Sequence, residues 1–288
     1  MLVSEIYQLG AIITLNKRGP ILPINDKTPA SDVDLATAKH IDLASVEFTY
    51  ERFRQLARNK NLSQEEKIGF PDSYRIGYTN AILADIVSKF SGMSRKNGTL
   101  ADIGCGCGSL TQGMLSLIDE RGLNGIMVDS EEMLIQIPDK ANIKKVSGFF
   151  PKNMEIIQQM APGGVDYLLC YSVLHCIFAD TNPFGFIDSV IELLKPGGLA
   201  LIGDIPNVSK RKRFFSSEEG VSFHKGFMQT NTAPVVEWLK VEHNKIDDAV
   251  LAGLVQRAQS AGCDAYILPQ PSTLPMANRR DDLLIRKY

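Results

Sequence analysis

Three alternating glycines occupy a short loop between an apolar segment and a helix-forming one. Gly104, Gly106 and Gly108 follow the sequence Thr-Leu-Ala-Asp-Ile, which starts at Thr99 and predicts a buried strand. Because glycine lacks a Cβ atom, such a loop can turn tightly and lie against a ligand. Asp102 is near the end of this strand, and its carboxylate can accept hydrogen bonds from an ammonium group or from backbone amides. The pattern predicts a ligand-binding loop.

The spacing of these glycines differs from that of dinucleotide-binding loops. Those loops have the form G-x-G-x-x-G and admit a pyrophosphate at a helix N-terminus. Here the form is G-x-G-x-G, with Asp102 two residues before the first glycine. A carboxylate there would repel a pyrophosphate but suits the cationic amino-acid end of a zwitterionic cofactor. Asp129 follows 27 residues later, after a second apolar strand, where a carboxylate can accept both hydroxyls of a ribose.

Strands and helices alternate along most of the chain, which predicts a doubly wound α/β domain with a mainly parallel sheet. In such sheets, ligands bind beyond the carboxyl ends of the strands, where the strand order reverses. The segments predicted as strands are 99–103, 125–128, 143–146, 165–170, 199–203, 264–268 and 282–286.

These motifs together resemble those of class I S-adenosylmethionine (SAM) methyltransferases. Residues 99–109 resemble motif I of that family, and Asp129 matches the acid after its second strand. Residues 165–177 are similar to its fourth strand and following loop, and 193–202 to the approach to its fifth strand. The resemblance covers about residues 98–205 and implies a seven-stranded Rossmann-like methyltransferase fold and a SAM-dependent methyltransferase.

The same resemblance implies which residues hold SAM. Asp102, Gly104 and Gly106 would hold its methionine part, and Asp129 its ribose. Residues 147–150 read Ser-Gly-Phe-Phe and offer no acid to the adenine amine, so backbone contacts or aromatic packing would substitute there. The further residues assigned to the cofactor are Ser130, Met133, Phe149 and Tyr171, of which Met133 and Phe149 would flank the adenine.

Two residues are candidates for a general base, each placed just after a strand. His175 follows the fourth strand and Asp204 the fifth, and either side chain can accept a proton from the methyl acceptor. A structural role is the alternative for His175, and alignment alone can supply most of the catalysis of methyl transfer. Ser172 lies at the same mouth and is assigned to the substrate.

Further substrate contacts are expected from two segments outside the motifs. Lys210 and Arg211 begin a run of four cations in an insertion at about 207–244. We expect a lid whose cations meet a phosphate or carboxylate, with a solvated loop as the alternative. Tyr74 and Arg75 belong to a lead-in that resembles that of methyltransferases of surface saccharides. The expected substrate is therefore small and polar, sugar-like or phosphorylated, and methylated on oxygen or nitrogen.

Composition limits the other function classes. A net charge of −2 gives no reason to expect nucleic acid, and no stretch approaches the about 18 apolar residues of a membrane span. The N-terminal residues show no secretory signal, and five cysteines, an odd number, do not suggest a disulfide framework. A cytoplasmic protein is therefore expected. Cys105 and Cys107 lack further ligands at metal spacing, so no metal is expected.

Residues 71–288 are assigned to the methyltransferase domain and 1–70 to an N-terminal extension, in which helix formers dominate from 34 to 59. The extension would act as a lid or an oligomerisation element, for example in a homodimer. Two alternatives to the methyltransferase stay open: an NAD(P)-dependent oxidoreductase on a Rossmann fold, and a non-catalytic SAM-binding subunit of another enzyme.

Overall fold

A computed structural model describes residues 34–37, 41, 49–71 and 77–288. Seven strands in these ranges form one sheet in the order β3-β2-β1-β4-β5-β7-β6. The first five strands pair in parallel, whereas β7 is antiparallel to both of its neighbours. The predicted doubly wound α/β fold is confirmed. The strands are Thr99–Ile103 (β1), Asn124–Asp129 (β2), Ile143–Ser147 (β3), Val165–Tyr171 (β4), Leu194–Pro206 (β5), Cys263–Pro269 (β6) and Arg280–Lys287 (β7).

Helices connect the strands and cover both faces of the sheet. Among the described residues, no helix is long and apolar enough to cross a membrane. The α-helices are Tyr50–Arg58 (α1), Gln64–Lys67 (α2), Thr79–Lys89 (α3), Ser109–Glu120 (α4), Glu131–Leu134 (α5), Met154–Met160 (α6), Leu174–Asp180 (α7), Pro183–Leu193 (α8), Val208–Phe215 (α9), Glu218–Met228 (α10) and Asp248–Ser260 (α11).

Alternate side chains of each strand fill a core on each face of the sheet, because the side-chain period of a strand is two. On β1, Leu100 belongs to an apolar cluster that includes residues of α3 and α4, whereas Ala101 and Ile103 belong to a second cluster that includes residues of α6, α8 and α11. Every residue of β4 is buried, as expected for a central strand covered on both faces. The sheet is thus a rigid support for the loops at its carboxyl edge.

The start of β5 differs from the prediction. The sequence predicts that Lys195 to Gly198 end a helix and that the strand begins at Leu199, but β5 begins at Leu194, immediately after α8. Its register with β4 shifts between Val165 and Tyr167. Extra residues in one strand are absorbed by a bulge, and Gly197 supplies the positive φ of 76° that this bulge contains.

The N-terminal helix is shorter in the described residues than its helix-forming composition suggests. It begins after Thr49, whose side chain accepts a hydrogen bond from the backbone N–H of Arg52, and it ends at Arg58. Residues 35–37 form a turn instead. An N-cap of this kind satisfies one of the amides that a helix start leaves without a partner, so Thr49 fixes where α1 begins.

Candidate functional site

A pocket of about 990 Å³, counted out to its open mouth, lies at the carboxyl ends of β1 to β4. The strand order reverses between β1 and β4, and this is the place where open α/β sheets bind their ligands. Six of the residues assigned to the cofactor line the pocket: Gly104, Gly106, Asp129, Met133, Phe149 and Tyr171.

The glycine loop has the backbone conformation that glycine permits, with φ of 73° at Gly104 and 65° at Gly106. A Cβ atom at Gly104 would lie 2.7 Å from Cγ2 of Val173, and one at Gly106 would lie 2.7 Å from Cγ2 of Ile68. The glycines therefore let two apolar side chains approach the loop closely. Both of these side chains also line the pocket.

Asp129 ties this loop to the end of β2. Its carboxylate accepts the N–H of Gly106 at 2.8 Å and the N–H of Ser130 at 2.6 Å. Burial raises the pKa of Asp129. Ser130 itself is buried and does not line the pocket; its Oγ accepts the N–H of Met133 at 3.3 Å and caps α5. Ser130 thus positions Met133 from behind the pocket wall.

Asp102 lies behind the lining residues and is 4% exposed. Burial, together with the nearby charge of Asp129, raises the pKa of Asp102 to about 8. Two carboxyl groups in one buried place repel each other when both are ionised, and a cation beside them favours both ionised forms. The loop and the two acids therefore form a place that favours a positively charged ligand group.

Aromatic rings form the wall of the pocket beyond β3. Phe149 meets Tyr50 edge to face, with ring centroids 5.5 Å apart and an interplanar angle of 86°. Tyr171 lines the pocket at the end of β4, and its hydroxyl accepts a long hydrogen bond of 3.5 Å from Nε2 of Gln270. Planar ligands pack well against such rings.

The N-terminal segment contributes a wall that sequence reasoning did not assign to the site. Tyr50, Phe53, Ile68 and Phe70 all line the pocket. An apolar stripe that includes Tyr50 and Phe53 is visible at helical spacing in the sequence, but nothing in that stripe indicates which surface it covers. The expected role of the N-terminal extension as a lid or an oligomerisation element stays a prediction.

The two candidate bases have different surroundings. Burial and the charge of Arg280 lower the pKa of His175 to about 3, and its Nδ1 has no hydrogen-bond partner among the described residues. His175 does not line the pocket, and these features favour its structural role. Asp204 is 6% exposed, and its Oδ2 accepts a hydrogen bond of 2.6 Å from Oγ of Ser172, which does line the pocket.

The structure does not bring Lys210 and Arg211 to the pocket. Lys210 donates hydrogen bonds to Asp281 at 2.7 Å and to the carbonyl of Arg280 at 2.6 Å, and Arg211 pairs with Glu242 at 2.6 Å. Lys210 thus ties α9 to β7, and Arg211 ties it to the loop that contains Glu242. The assignments of Tyr74 and Arg75 lie outside the described residues.

Comparison with known proteins gives a family match for the segment that contains most of the pocket residues. Residues 101–200 match the family model described as a methyltransferase domain. Because the matched residues include the glycine loop, β2, β3 and β4, this match favours methyl transfer over the oxidoreductase alternative. No curated protein matches the sequence.

Solved structures share the fold at low sequence identity. The plantazolicin methyltransferase BpumL, in complex with a triazolic desmethylPZN analog and SAH, has a TM-score of 0.50 and 14% identity, covering 83% of this chain and 99% of its own. The plantazolicin methyltransferase BamL, in complex with a triazolic desmethylPZN analog and SAH, has a TM-score of 0.50 and 14% identity; the alignment covers 82% of this chain and 98% of BamL. An O-methyltransferase family protein from Burkholderia thailandensis has a TM-score of 0.47 and 15% identity; the alignment covers 84% of this chain and 64% of that protein.

Proposed function

We propose that this chain, a class I methyltransferase by its fold and by its methyltransferase domain at residues 101–200, binds SAM and transfers the methyl group to an oxygen or nitrogen of a small molecule. The observation that carries the proposal is the pair of acids around the glycine loop. Asp129 holds the loop through Gly106, and Asp102 lies behind it with its pKa raised to about 8.

The pocket residues suit the parts of SAM. Asp102 and the loop at Gly104 and Gly106 would receive the α-ammonium group of the methionine part, since a cation relieves the repulsion between the two acids. Asp129 has a carboxylate at the pocket wall that would accept the ribose hydroxyls. Met133 and Phe149 are the apolar and aromatic surfaces for the adenine ring. Two structural neighbours with the same fold were crystallised with SAH, which supports this use of the fold.

When bound, SAM supplies a sulfonium whose methyl group is open to attack by a nucleophilic oxygen or nitrogen. The residues of this chain then have two tasks, to align the acceptor with the methyl group and to take up a proton that the acceptor releases. Ser172 is placed for the first task, because its hydroxyl is at the pocket wall. Asp204, which accepts the hydrogen bond of Ser172, is placed for the second.

The charge of the pocket walls also indicates which kind of methyl acceptor fits. Among the described residues, the lining has the two carboxylates of Asp129 and Asp180 and no Lys, Arg or His side chain. The acceptor side is otherwise built from Val173, Cys176 and Ile177 of the segment after β4. Such a wall supports a neutral or cationic acceptor with an apolar body better than the phosphorylated, sugar-like molecule expected from sequence.

Calorimetric titration with SAM and SAH tests the proposal directly. Wild-type protein is expected to bind both ligands with micromolar affinity. Asp129→Ala is expected to weaken binding by at least about a hundredfold, because it removes the ribose acceptor and releases the glycine loop. Asp188→Ala is the matched control, since Asp188 pairs with Arg257 on the surface, away from the pocket. A folded wild-type protein that binds neither ligand would overturn the proposal.

A further inference from the structure

The N-terminal helices α1 and α2 close one side of the pocket. Tyr50 and Phe53 reach it from α1, and Ile68 from the turn after α2. The rings of Tyr50 and Phe149 meet edge to face, and both residues line the pocket, so together they form an aromatic corner of its wall. Burial, together with the charge of Asp129, raises the pKa of Tyr50, which keeps its hydroxyl neutral beside that acid.

Polar bonds hold α1 against α5. Arg54 donates two hydrogen bonds to the carboxylate of Glu132, from Nε at 3.0 Å and from Nη2 at 2.8 Å. Nε of Arg58 donates to the same carboxylate at 3.0 Å. The hydrogen bonds from Arg54 contribute most to lowering the pKa of Glu132 to about 2. We refer to Arg54, Arg58 and Glu132 as the clasp. Because Glu132 directly precedes Met133, the clasp lies immediately behind the pocket wall.

Two further contacts place α2 on the glycine loop. Glu65 accepts the N–H of Ser109 at 2.6 Å, at the start of α4. Ile68 packs onto Gly106, close enough that a Cβ atom there would lie 2.7 Å from its Cγ2. Residues 49–70 therefore rest on both the loop and α5. A ligand that fills the pocket cannot leave on this side unless the segment moves.

The clasp is partly exposed, with 34% of the Arg54 side chain, 45% of the Arg58 side chain and 14% of the Glu132 side chain accessible. Ion pairs at such positions contribute little stability and are weakened by salt. The clasp therefore adds a modest, salt-sensitive contribution to the apolar packing of Phe53, Ala57, Ile68 and Met133 that also holds this wall.

We propose that residues 49–70 are a movable wall of the cofactor site, in which Tyr50 binds the base of the cofactor against Phe149 and the clasp sets the rate of cofactor release. This inference rests on the proposed function. It assigns a binding role to Tyr50 and a rate-setting role to Arg54, Arg58 and Glu132.

The clasp is tested by measuring SAH association and dissociation rates in stopped flow or by surface plasmon resonance. The double variant Arg54→Gln/Arg58→Gln is expected to release SAH about fivefold faster, the factor that two exposed ion pairs correspond to, with an unreduced association rate. Arg257→Gln is the matched control, because Arg257 makes an exposed two-point ion pair with Asp188 away from the pocket, and its SAH dissociation rate should match wild type. A dissociation rate in the double variant that equals wild type would overturn the role of the clasp.

Tyr50 is tested in the same assay, and salt provides a test without any variant. Tyr50→Ala is expected to weaken SAH binding by about tenfold, whereas Tyr50→Phe retains the ring and should bind like wild type. Tyr266→Ala, at a surface tyrosine of β6, is the control. Raising KCl from about 0.05 M to about 0.5 M should speed SAH release from wild-type protein, because salt screens the clasp. Wild type that binds no SAH overturns the proposed function itself, whereas tight binding insensitive to Tyr50→Ala and to salt overturns this inference alone.

Discussion

Ser172 donates a hydrogen bond of 2.6 Å from its Oγ to Oδ2 of Asp204, and both residues have left-handed backbone conformations, with φ of 62° and 56°. Ser172 directly follows β4, and Asp204 lies where the register of β5 with β7 shifts. Such conformations are costly for residues other than glycine and cluster at functional sites. Two neighbouring strands thus both carry strain at the point where their side chains meet, at the edge of the pocket.

From this pair we predict that Asp204→Asn separates cofactor binding from catalysis. The amide still accepts the hydrogen bond of Ser172 but cannot take up a proton, so methyl transfer should fall by about a hundredfold while the Kd of SAH stays within about threefold. The measurement is transfer of radiolabelled methyl from SAM to an acceptor found by screening neutral and cationic small molecules. His175→Gln serves as the comparison and should retain most activity. Equal turnover by wild type and Asp204→Asn would remove Asp204 as the base.

Asp102 leads to a prediction about stability. An acid whose pKa is raised from its ordinary value of 3.8 to about 8 on folding destabilises the protein increasingly as pH rises between these two values, and by a constant amount above them. Asp102→Asn should therefore raise the Tm of the ligand-free protein by a few degrees at about pH 8.5 and by much less at about pH 5. The same variant should lose SAH affinity. Thermal melting at both pH values provides the test, and a lower Tm at high pH would contradict it.

The same group predicts a pH dependence of cofactor binding. Asp102 must lose its proton to pair with the ammonium group, and that cation lowers its pKa in the complex. Affinity for SAH should therefore rise from about pH 6 to about pH 7.5 and fall only at the higher pH at which the ammonium group of the ligand itself loses its proton. Titrations in buffers of different ionisation enthalpy should reveal proton release near neutral pH. In Asp102→Asn the rise should be absent, and an identical rise in that variant would assign it to another group.

The sequence predicts the parts of the fold that depend on local patterns. The continuous apolar run of β4 and the glycine loop before α4 are both readable from neighbouring residues, because burial on two faces and a tight turn impose local composition. Asp129 is readable for the same reason, as an acid at the end of an apolar run.

Pairings between distant segments are not readable in this way. Arg54 and Glu132 are 78 positions apart, and neither residue carries a local sign of the other. The run of four cations that begins at Lys210 is an example. In the sequence, Lys210 and Arg211 suggest a free cationic surface, but in the fold they pair with Asp281 and Glu242. Charge in a sequence does not reveal its partner. The sequence therefore does not show which surface α1 covers, and it suggests a cationic lid at residues that are paired in the fold.

Gly106 and Gly122 have similar backbone conformations, so alanine at each position separates the cost of backbone strain from a specific effect on SAH binding. Gly106 has φ of 65°, and a Cβ atom there would lie 2.7 Å from Ile68; Gly122 has φ of 63°, and a Cβ atom there would meet nothing within 4 Å. Both Gly→Ala changes incur a left-handed backbone cost of about 1–2 kcal/mol. Gly106→Ala should additionally displace Ile68 and the loop that Asp129 holds. Denaturant unfolding should therefore show the larger loss for Gly106→Ala, and titration should show that only this variant loses SAH. If Gly122→Ala, while folded, lost SAH to the same extent as Gly106→Ala, the loss would not be specific to the glycine loop, and the loop would have no special part in the site.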